Sequence, residues 1–129
     1  MSGNKGPAPG FINHPEHIVR VTPSDSRWVV CANDVVLADS VGAKVVDETG
    51  YRRVVYFPAS DVSTDLLAMT EDRTTCPFKG EARYFVQRDF DSDHVIAWTY
   101  PLVFDEIALL EGHIAFYNDR IELQQKINN

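Results

Sequence analysis

The sequence predicts a mainly β protein: a single compact domain of antiparallel hairpins with one or two short helices. Seven Phe, five Tyr and two Trp stand mostly in short segments beside Val and Ile, a composition that favours strands. The candidate strands follow one another through short turns without long crossovers, which favours antiparallel pairing. At 129 residues with 44% apolar composition, the chain is long enough to bury one core.

The first 15 residues are predicted to form a flexible or draped arm. The breakers in this segment, too many for the interior of a helix or strand, are Gly3, Gly6, Pro7, Pro9, Gly10 and Pro15. We therefore divide the chain into an arm over residues 1–15 and a single β domain over residues 16–129.

Five strands are predicted in the first half of the domain. Runs of apolar and β-branched residues mark them over residues 18–21, 27–32, 35–38, 43–47 and 51–57. Asn33 and Asp34 both tolerate positive φ and predict a tight hairpin between the second and third strands. Residues 48–50, which end in a glycine, predict a hairpin between the fourth and fifth.

A short helix is predicted after the fifth strand. Pro58 ends that strand because proline cannot donate to a ladder. Ser60 or Asp61 is then placed to cap a helix over residues 61–67.

The second half predicts two more strands, a helix and a last hairpin. Ala82, Tyr84 and Val86 alternate with polar residues, the period of a strand with one face inward. An Asp-rich turn over residues 89–93 leads to a strand over residues 94–100. Residues 104–111 have helical spacing, with a glycine as the stop. Residues 113–117 and 120–123, joined by an Asn-Asp turn, predict the hairpin.

Charge and composition exclude several classes of function. A net charge of −7 and a pI near 4.9 argue against nucleic-acid binding, which needs clustered Lys and Arg, and against docking to anionic lipid. No apolar stretch approaches the roughly 18 residues of a membrane span, and no signal sequence is seen. We therefore expect a cytoplasmic protein, where a disulfide between Cys31 and Cys76 is not expected.

The segment over residues 74–80, with the sequence TTCPFKG, is the candidate site. Cys76 is the candidate nucleophile and Lys79 the group that favours its thiolate, so both are the candidate catalytic residues. Cys31 lies in an apolar strand, where an inert thiol is expected. His94 and His113 are the histidines of the folded body, but their spacing does not bring either to Cys76. The alternative is that Cys76 packs and Lys79 forms a salt bridge.

Aromatic residues near strand ends are candidate ligand-binding residues. They are Tyr56, Tyr84, Trp98 and Tyr100, whose rings can wall a pocket or serve as core residues with polar tips. Asp39 and Asp61 complete the set as candidate charge partners of Lys79, with solvated surface carboxylates as the alternative.

Several kinds of functional site lack the residues that they require in this sequence. The two cysteines and the His14, His17 pair do not supply the spacing of a zinc site. The aspartates at 89, 91 and 93 lack the glycine and glutamate of a calcium loop. Neither a P-loop nor a G-x-S-x-G nucleophile elbow is present. The sequence therefore predicts no metal and no cofactor.

The motifs resemble the domain-of-unknown-function 427 family from about Val19 onward. The resemblance is carried by residues 37–40 (LADS), 56–62 (YFPASDV), 75–80 (TCPFKG) with Ala82 and Tyr84, 98–101 (WTYP) and 112–117 (GHIAFY). It implies a β-tent, Mss4-like fold without the cysteine knuckles that bind zinc in many relatives. It implicates Asp39, Tyr56, Pro58, Asp61, Val62, Cys76, Pro77, Lys79, Gly80, Tyr84, Trp98, Tyr100, Ala115 and Phe116.

The family is sometimes labelled nucleotidyltransferase-like, and we do not transfer that activity. The chain has no glycine-serine phosphate loop followed by D-x-D. Phe57 and Phe78 also stand where tyrosine is common in the family pattern, which argues against an essential hydroxyl at either position.

Three hypotheses of function follow. The first is a small-ligand cleft around Cys76, Lys79 and the aromatic residues. The second is an interaction module or homodimer that pairs through an exposed strand edge, such as residues 18–21 or 120–123. In the third, the motif specifies the fold and the function lies in loops. Ligand binding ranks first because antiparallel β cups hold small molecules at their mouths.

Overall fold

The computed structural model describes residues 6–90 and 94–126, and within these residues ten strands form two antiparallel sheets. The strands are β1 (Val19–Pro23), β2 (Arg27–Ala32), β3 (Val35–Ser40), β4 (Lys44–Glu48), β5 (Val54–Phe57), β6 (Leu67–Cys76), β7 (Gly80–Gln87), β8 (Val95–Thr99), β9 (Ile114–Phe116) and β10 (Glu122–Lys126). The large sheet has the order β1-β4-β5-β9-β8-β7-β6, and the small sheet has the order β10-β2-β3. The predicted mainly β, antiparallel, single-domain fold is confirmed.

Both hairpins predicted in the first half are present. Asn33 and Asp34 join β2 to β3 with φ values of 52° and 63°, the left-handed backbone that such a tight turn requires. β4 pairs with β5, but the ladder begins at Val54 and not at residue 51. The three residues before Val54 are exposed and form the loop.

The predicted last hairpin is wrong. β9 pairs with β5 and β8 in the middle of the large sheet, whereas β10 pairs with β2 in the small one. All three residues of β9 are buried, as a central strand requires, while only Leu123 of β10 is even partly covered. The turn closed by the Arg120 N–H donating to the Tyr117 carbonyl therefore carries the chain from one sheet to the other.

Strand β6 was not predicted. Its central residues, with the sequence TEDRTT, are polar and all but Thr70 are exposed, so no apolar alternation predicts this strand. It lies at the edge of the large sheet, where backbone pairing with β7 along one side is sufficient. On β7 the predicted one-sided pattern also fails after Tyr84, because the register shifts between Phe85 and Val86 and both are buried.

The two predicted short helices are replaced by 3₁₀ turns. In place of a helix over residues 61–67, the chain forms turns at Ala59–Asp61 and Thr64–Leu66, neither with a side-chain cap. The predicted helix over residues 104–111 is a 3₁₀ segment, Asp105–Leu110, with non-helical angles at Ile107. No helix of the described ranges is long and apolar enough to cross a membrane. Of the Asp-rich turn, residues 91–93 lie outside the described residues.

The described part of the N-terminal arm lies against the domain. Pro9–Asn13 forms one short helix, α1. The Gly10 N–H donates to the Pro77 carbonyl at 2.9 Å, and an ideal Cβ at Gly10 would be 2.7 Å from the Phe78 ring. Ala8 is buried and its N–H donates to Glu106 Oε1 at 2.9 Å.

The large sheet is covered on both faces, which creates two cores. One face packs against the small sheet, where Val30, Leu37, Phe57 and Phe116 are buried. The other face carries a second core built with the 3₁₀ segment, in which Val46, Tyr56, Tyr100, Val103, Ile107, Leu110 and Ala115 are buried. The candidate site lies beside this second core.

Candidate functional site

A row of aligned residues crosses the middle of the large sheet. Tyr56 of β5 is opposite Ala115 of β9, which is opposite Trp98 of β8, which in turn is opposite Tyr84 of β7. Because Ala115 is small, Trp98 reaches over it and its Nε1–H donates to the Tyr56 hydroxyl at 3.1 Å. The two rings are perpendicular with centroids 6.1 Å apart, so they form two walls of a corner.

This row forms part of the wall of a cavity of about 620 Å³. The cavity opens on the face of the large sheet away from the small sheet, and its residues come from strands β4 to β8 and the segments beside them. The lining residues are Val46, Glu48, Tyr51, Arg52, Val54, Tyr56, Thr75, Cys76, Pro77, Lys79, Tyr84, Trp98, Tyr100 and Tyr117.

The turn between β6 and β7 brings Cys76 and Lys79 to the cavity. Gly80 pairs with Cys76 and has φ +139°, a backbone conformation that L side chains rarely adopt. An ideal Cβ there would be 2.6 Å from the Leu102 carbonyl oxygen, so glycine permits a close approach of two backbone segments. The Phe104 N–H also donates to the Lys79 carbonyl at 3.0 Å. These contacts fix the turn against the second core.

Lys79 belongs to a buried chain of ionisable groups. Its ammonium donates to Glu48 Oε1, and Glu48 Oε2 is 2.8 Å from His17 Nε2. The side chains of Lys79 and Glu48 are only 8% and 10% exposed. The His17 ring stacks on Phe78 with centroids 3.9 Å apart, which links the chain to the β6–β7 turn. The ion pair neutralises the lysine charge inside the cavity.

Asp39 and Asp61 are not partners of Lys79, and neither lines the cavity. Asp39 lies on β3 of the small sheet and receives two hydrogen bonds from the Arg27 guanidinium, at 2.8 and 2.6 Å, which lower the pKa of its carboxyl. Asp61 Oδ2 accepts from the Ser40 hydroxyl at 2.6 Å. Charge alone indicated these two carboxylates, but the fold places them on other elements.

The other six predicted site residues all line this cavity: Cys76, Lys79, Tyr56, Tyr84, Trp98 and Tyr100. Lys79 also forms the salt bridge that the alternative interpretation of the motif expected. Lys79 therefore both lines the cavity and forms a salt bridge, because the ion pair is itself part of the cavity wall.

Cys76 has a thiol but no base beside it among the described lining residues. It is a half-buried free cysteine, as is Cys31 on β2. No histidine is among the residues that line this cavity in the described ranges. His113 Nε2 is 3.2 Å from Lys44 Nζ, and burial lowers the pKa of this imidazole. His94 borders a different hollow. Glu48, the carboxylate of the lining, is held by Lys79 and His17.

Two tyrosine residues are largely buried in the cavity wall. Tyr56 is 2% exposed and Tyr100 is 8% exposed. Burial raises the pKa of both phenols well above the ordinary value, so each hydroxyl keeps its proton. The Tyr56 oxygen accepts from Trp98, whereas the Tyr100 hydroxyl has no hydrogen-bond partner within the described part of the chain. The wall therefore presents hydrogen-bond donors.

Sequence reasoning missed six lining residues: Val46, Glu48, Tyr51, Arg52, Val54 and Tyr117. Glu48 was assigned to a turn, although it lies two positions after cavity-facing Val46 on the same strand. Tyr117 likewise follows Ala115 by two. The strand period was therefore a usable signal for both. Tyr51 and Arg52 lie in the β4–β5 loop, where no periodic signal exists.

Within residues 6–90 and 94–126, no group of three His, Cys, Asp or Glu side chains is arranged to hold a metal ion.

A family model described as "Domain of unknown function (DUF427)" matches residues 20–126. No curated protein matches the chain. The match spans most of the 129 residues and includes every strand of the large sheet except the first residue of β1. The cavity, the glycine turn and the row of aligned residues all lie inside it. The chain belongs to the family described as domain of unknown function DUF427.

Proposed function

We propose that the protein binds a small organic molecule in the cavity bordered by Cys76, Lys79, Trp98 and Tyr100. The observation that carries this proposal is the convergence of residues from five strands and their connections on one hollow. Its volume of about 620 Å³ lies inside the range of roughly 300 to 1,000 Å³ that small-molecule sites occupy. Aromatic walls with a few polar groups are also typical of such sites.

Trp98 offers a direct test because the other tryptophan, Trp28, lies on β2 of the small sheet. In a Trp28→Phe background, intrinsic fluorescence reports on the cavity wall. We expect members of an aromatic fragment set to change this signal saturably. Because Val54 lines the cavity, Val54→Phe should weaken the same fragments by filling the space.

Val36→Phe is the matched control. Val36 is 51% exposed on β3 and lies outside the cavity lining, so this change adds the same ring without filling the cavity. If Val54→Phe and Val36→Phe weaken the fragments equally, or if no fragment saturates, ligand binding in this cavity is rejected.

A reactive version of the proposal assigns Cys76 as nucleophile and Lys79 as its neighbouring cation. The Lys79–Glu48 ion pair weakens this version, because a neutralised ammonium stabilises a thiolate less. Electrophile labelling of a Cys31→Ser variant isolates Cys76. Labelling no faster than that of a free thiol at neutral pH removes nucleophilic catalysis and leaves binding untouched.

The second candidate function is pairing through strand edges. β1 and β10, which contain residues 19–21 and 122–123 of the two predicted edge segments, are edge strands of the two sheets, and ten-residue β6 forms the other edge of the large sheet. Sedimentation tests this candidate. A mass that stays at 14.5 kDa over the whole concentration range, together with no captured partner, would reject it.

We further propose a cytoplasmic location. Cys31 and Cys76 are both free thiols, which a reducing compartment maintains. Microscopy of a fluorescent fusion tests this location.

A further inference from the structure

The tyrosines and phenylalanines of the chain are segregated. All five tyrosines line the cavity, and none of the seven phenylalanines does. A wall that only needed apolar area could be built from phenylalanine equally well. The hydroxyl groups are therefore concentrated where a bound molecule would meet them.

The two tyrosines that are buried, Tyr56 and Tyr100, have donor capacity that the described residues do not use. The Tyr100 hydroxyl has no hydrogen-bond partner within the described ranges, although the residue is only 8% exposed. The Tyr56 oxygen accepts the Trp98 N–H, and no described acceptor takes the Tyr56 proton. The Tyr100 oxygen is not among the buried polar atoms without a partner, so this hydroxyl is accessible from the cavity and can donate to an acceptor on a ligand.

The charges of the lining disfavour ionic ligands. Glu48 is the carboxylate of the described lining, and it is already bound to Lys79, while Arg52 adds a positive charge at the exposed rim. A cation would meet the positive charge of Arg52, because the charges of Lys79 and Glu48 offset each other. A multivalent anion would find the buried ammonium already paired.

The geometry of the rings favours a flat ligand. The Tyr56 and Trp98 rings form a perpendicular corner, and Tyr117 lies 4.6 Å from Trp98 between ring centroids, tilted by 50°. Such a corner offers one ring face for stacking and a second for an edge contact with a planar molecule.

We propose that the cavity binds an uncharged planar molecule through a carbonyl or ring-nitrogen acceptor that receives hydrogen bonds from Tyr100 and Tyr56. This inference rests on the proposed small-molecule function and narrows it to one ligand class. The Trp98 ring contacts the planar ligand through its face or its edge. The Lys79–Glu48 pair forms a neutral part of the cavity wall.

Equilibrium dialysis with four naphthalene probes, substituted at one common ring position, tests the ligand class. The probes carry an acetyl group, an ethyl group, a carboxylate or a trimethylammonium group. We expect the wild-type protein to bind the acetyl probe about tenfold more tightly than the ethyl probe, as two net hydrogen bonds would give. The two charged probes should bind more weakly than the acetyl probe.

Tyr100→Phe removes a hydroxyl that no described residue requires and keeps the ring. It should reduce the preference for acetyl over ethyl to about threefold, since one of two hydrogen bonds is lost, while affinity for the ethyl probe is retained as the control for folding. Tyr84→Phe is the matched variant, because the Tyr84 hydroxyl is already paired with Thr74 Oγ1 at 2.6 Å. It should keep the full preference.

Four outcomes overturn the inference. These are equal binding of acetyl and ethyl probes, tightest binding of a charged probe, an unchanged preference in Tyr100→Phe, and no binding of any probe. The first three leave small-molecule binding intact and reject only the ligand class. In the fourth case the fragment experiment on Val54→Phe separately decides whether the cavity binds other molecules.

Discussion

At the scale of single residues, the buried ion pair distinguishes this site from its surroundings. The side chains of Lys79 and Glu48 are both about nine-tenths buried, so each charge is stabilised by the other in place of water. The pair Arg53–Asp47 has similar chemistry, with 2.8 Å between Nε and Oδ1, but its side chains are 67% and 41% exposed. Burial, not distance, should therefore decide what each pair contributes.

Lys79→Met should lower the free energy of unfolding by about 3 kcal/mol, because Glu48 is left buried with His17 as its remaining partner. The additional change Glu48→Gln should restore part of the loss. Urea denaturation measures both. Arg53→Met, the exposed control, should cost less than about 1 kcal/mol. Equal losses in the two single variants would contradict a buried role for Lys79.

His113 should make the protein less stable in mild acid. Burial, and secondarily the nearby Lys44 ammonium, keep the pKa of this imidazole below its ordinary value of about 6.5, so the unfolded chain binds the proton more tightly. The stability that neutral His113 contributes is fully present when the pH is above about 6.5 and is lost as the pH falls below that value.

The prediction for His113→Asn concerns the slope of stability against pH. Between about pH 7 and pH 5, urea denaturation should show a shallower decline for the variant than for the wild-type protein. A decline as steep in the variant as in the wild type would contradict the assignment.

At the scale of elements, the β6–β7 hairpin connects the site to the second core. Its turn holds Cys76 and Lys79 at the cavity, and Gly80 forms a bridge with Val103. β6 contributes little apolar burial of its own, since most of its central residues are exposed. The hairpin therefore depends on the close backbone contact at Gly80 for its position.

Gly80→Ala should destabilise the protein by at least about 2 kcal/mol, because the added Cβ meets the Leu102 carbonyl and the backbone is strained. Gly112→Ala is the matched change, with φ +71° but no atom within 4 Å of the ideal Cβ. It should cost about 1 kcal/mol. Denaturation midpoints compare the two. Similar losses would show that the close approach is not what requires glycine at position 80.

At the scale of the whole molecule, the N-terminal arm ties two parts of the site together. The Asp105 N–H donates to the Gly6 carbonyl at 2.9 Å, and the Ala8 N–H binds Glu106, so the arm holds the 3₁₀ segment. A few residues later, Gly10 binds Pro77 at the β6–β7 turn. The arm thus spans from the second core to the turn that carries Lys79.

Gly10→Val should release α1, because even a Cβ would be 2.8 Å from the Pro77 carbonyl oxygen. We expect faster proteolysis within residues 6–17 and faster hydrogen exchange at residues 76–80, with the sheet signal in circular dichroism preserved. Asn13→Val, at an exposed position of the same helix, is the control. Unchanged exchange at residues 76–80 would show that the arm does not stabilise the turn.

The sequence by itself determined the features that depend on neighbouring residues. Asn33 and Asp34 specify their turn through their own backbone preferences, and the apolar runs specify most strands. The mainly β class followed from the same local patterns, whereas the family was indicated by the resemblance of several short motifs. Cys76, Lys79 and the aromatic residues could be predicted as candidate site residues because their side chains have distinctive chemistry.

Only the tertiary structure decided which side chains are partners and which strands are neighbours. Glu48 pairs with Lys79 across a separation of 31 residues, and nothing local distinguished it from Asp39 or Asp61. β9 enters the large sheet between β5 and β8 because its three residues are buried on both faces, a condition set by the second core and the small sheet together. Side-chain partners and strand neighbours are chosen by long-range packing, which has no signal in a short stretch of sequence.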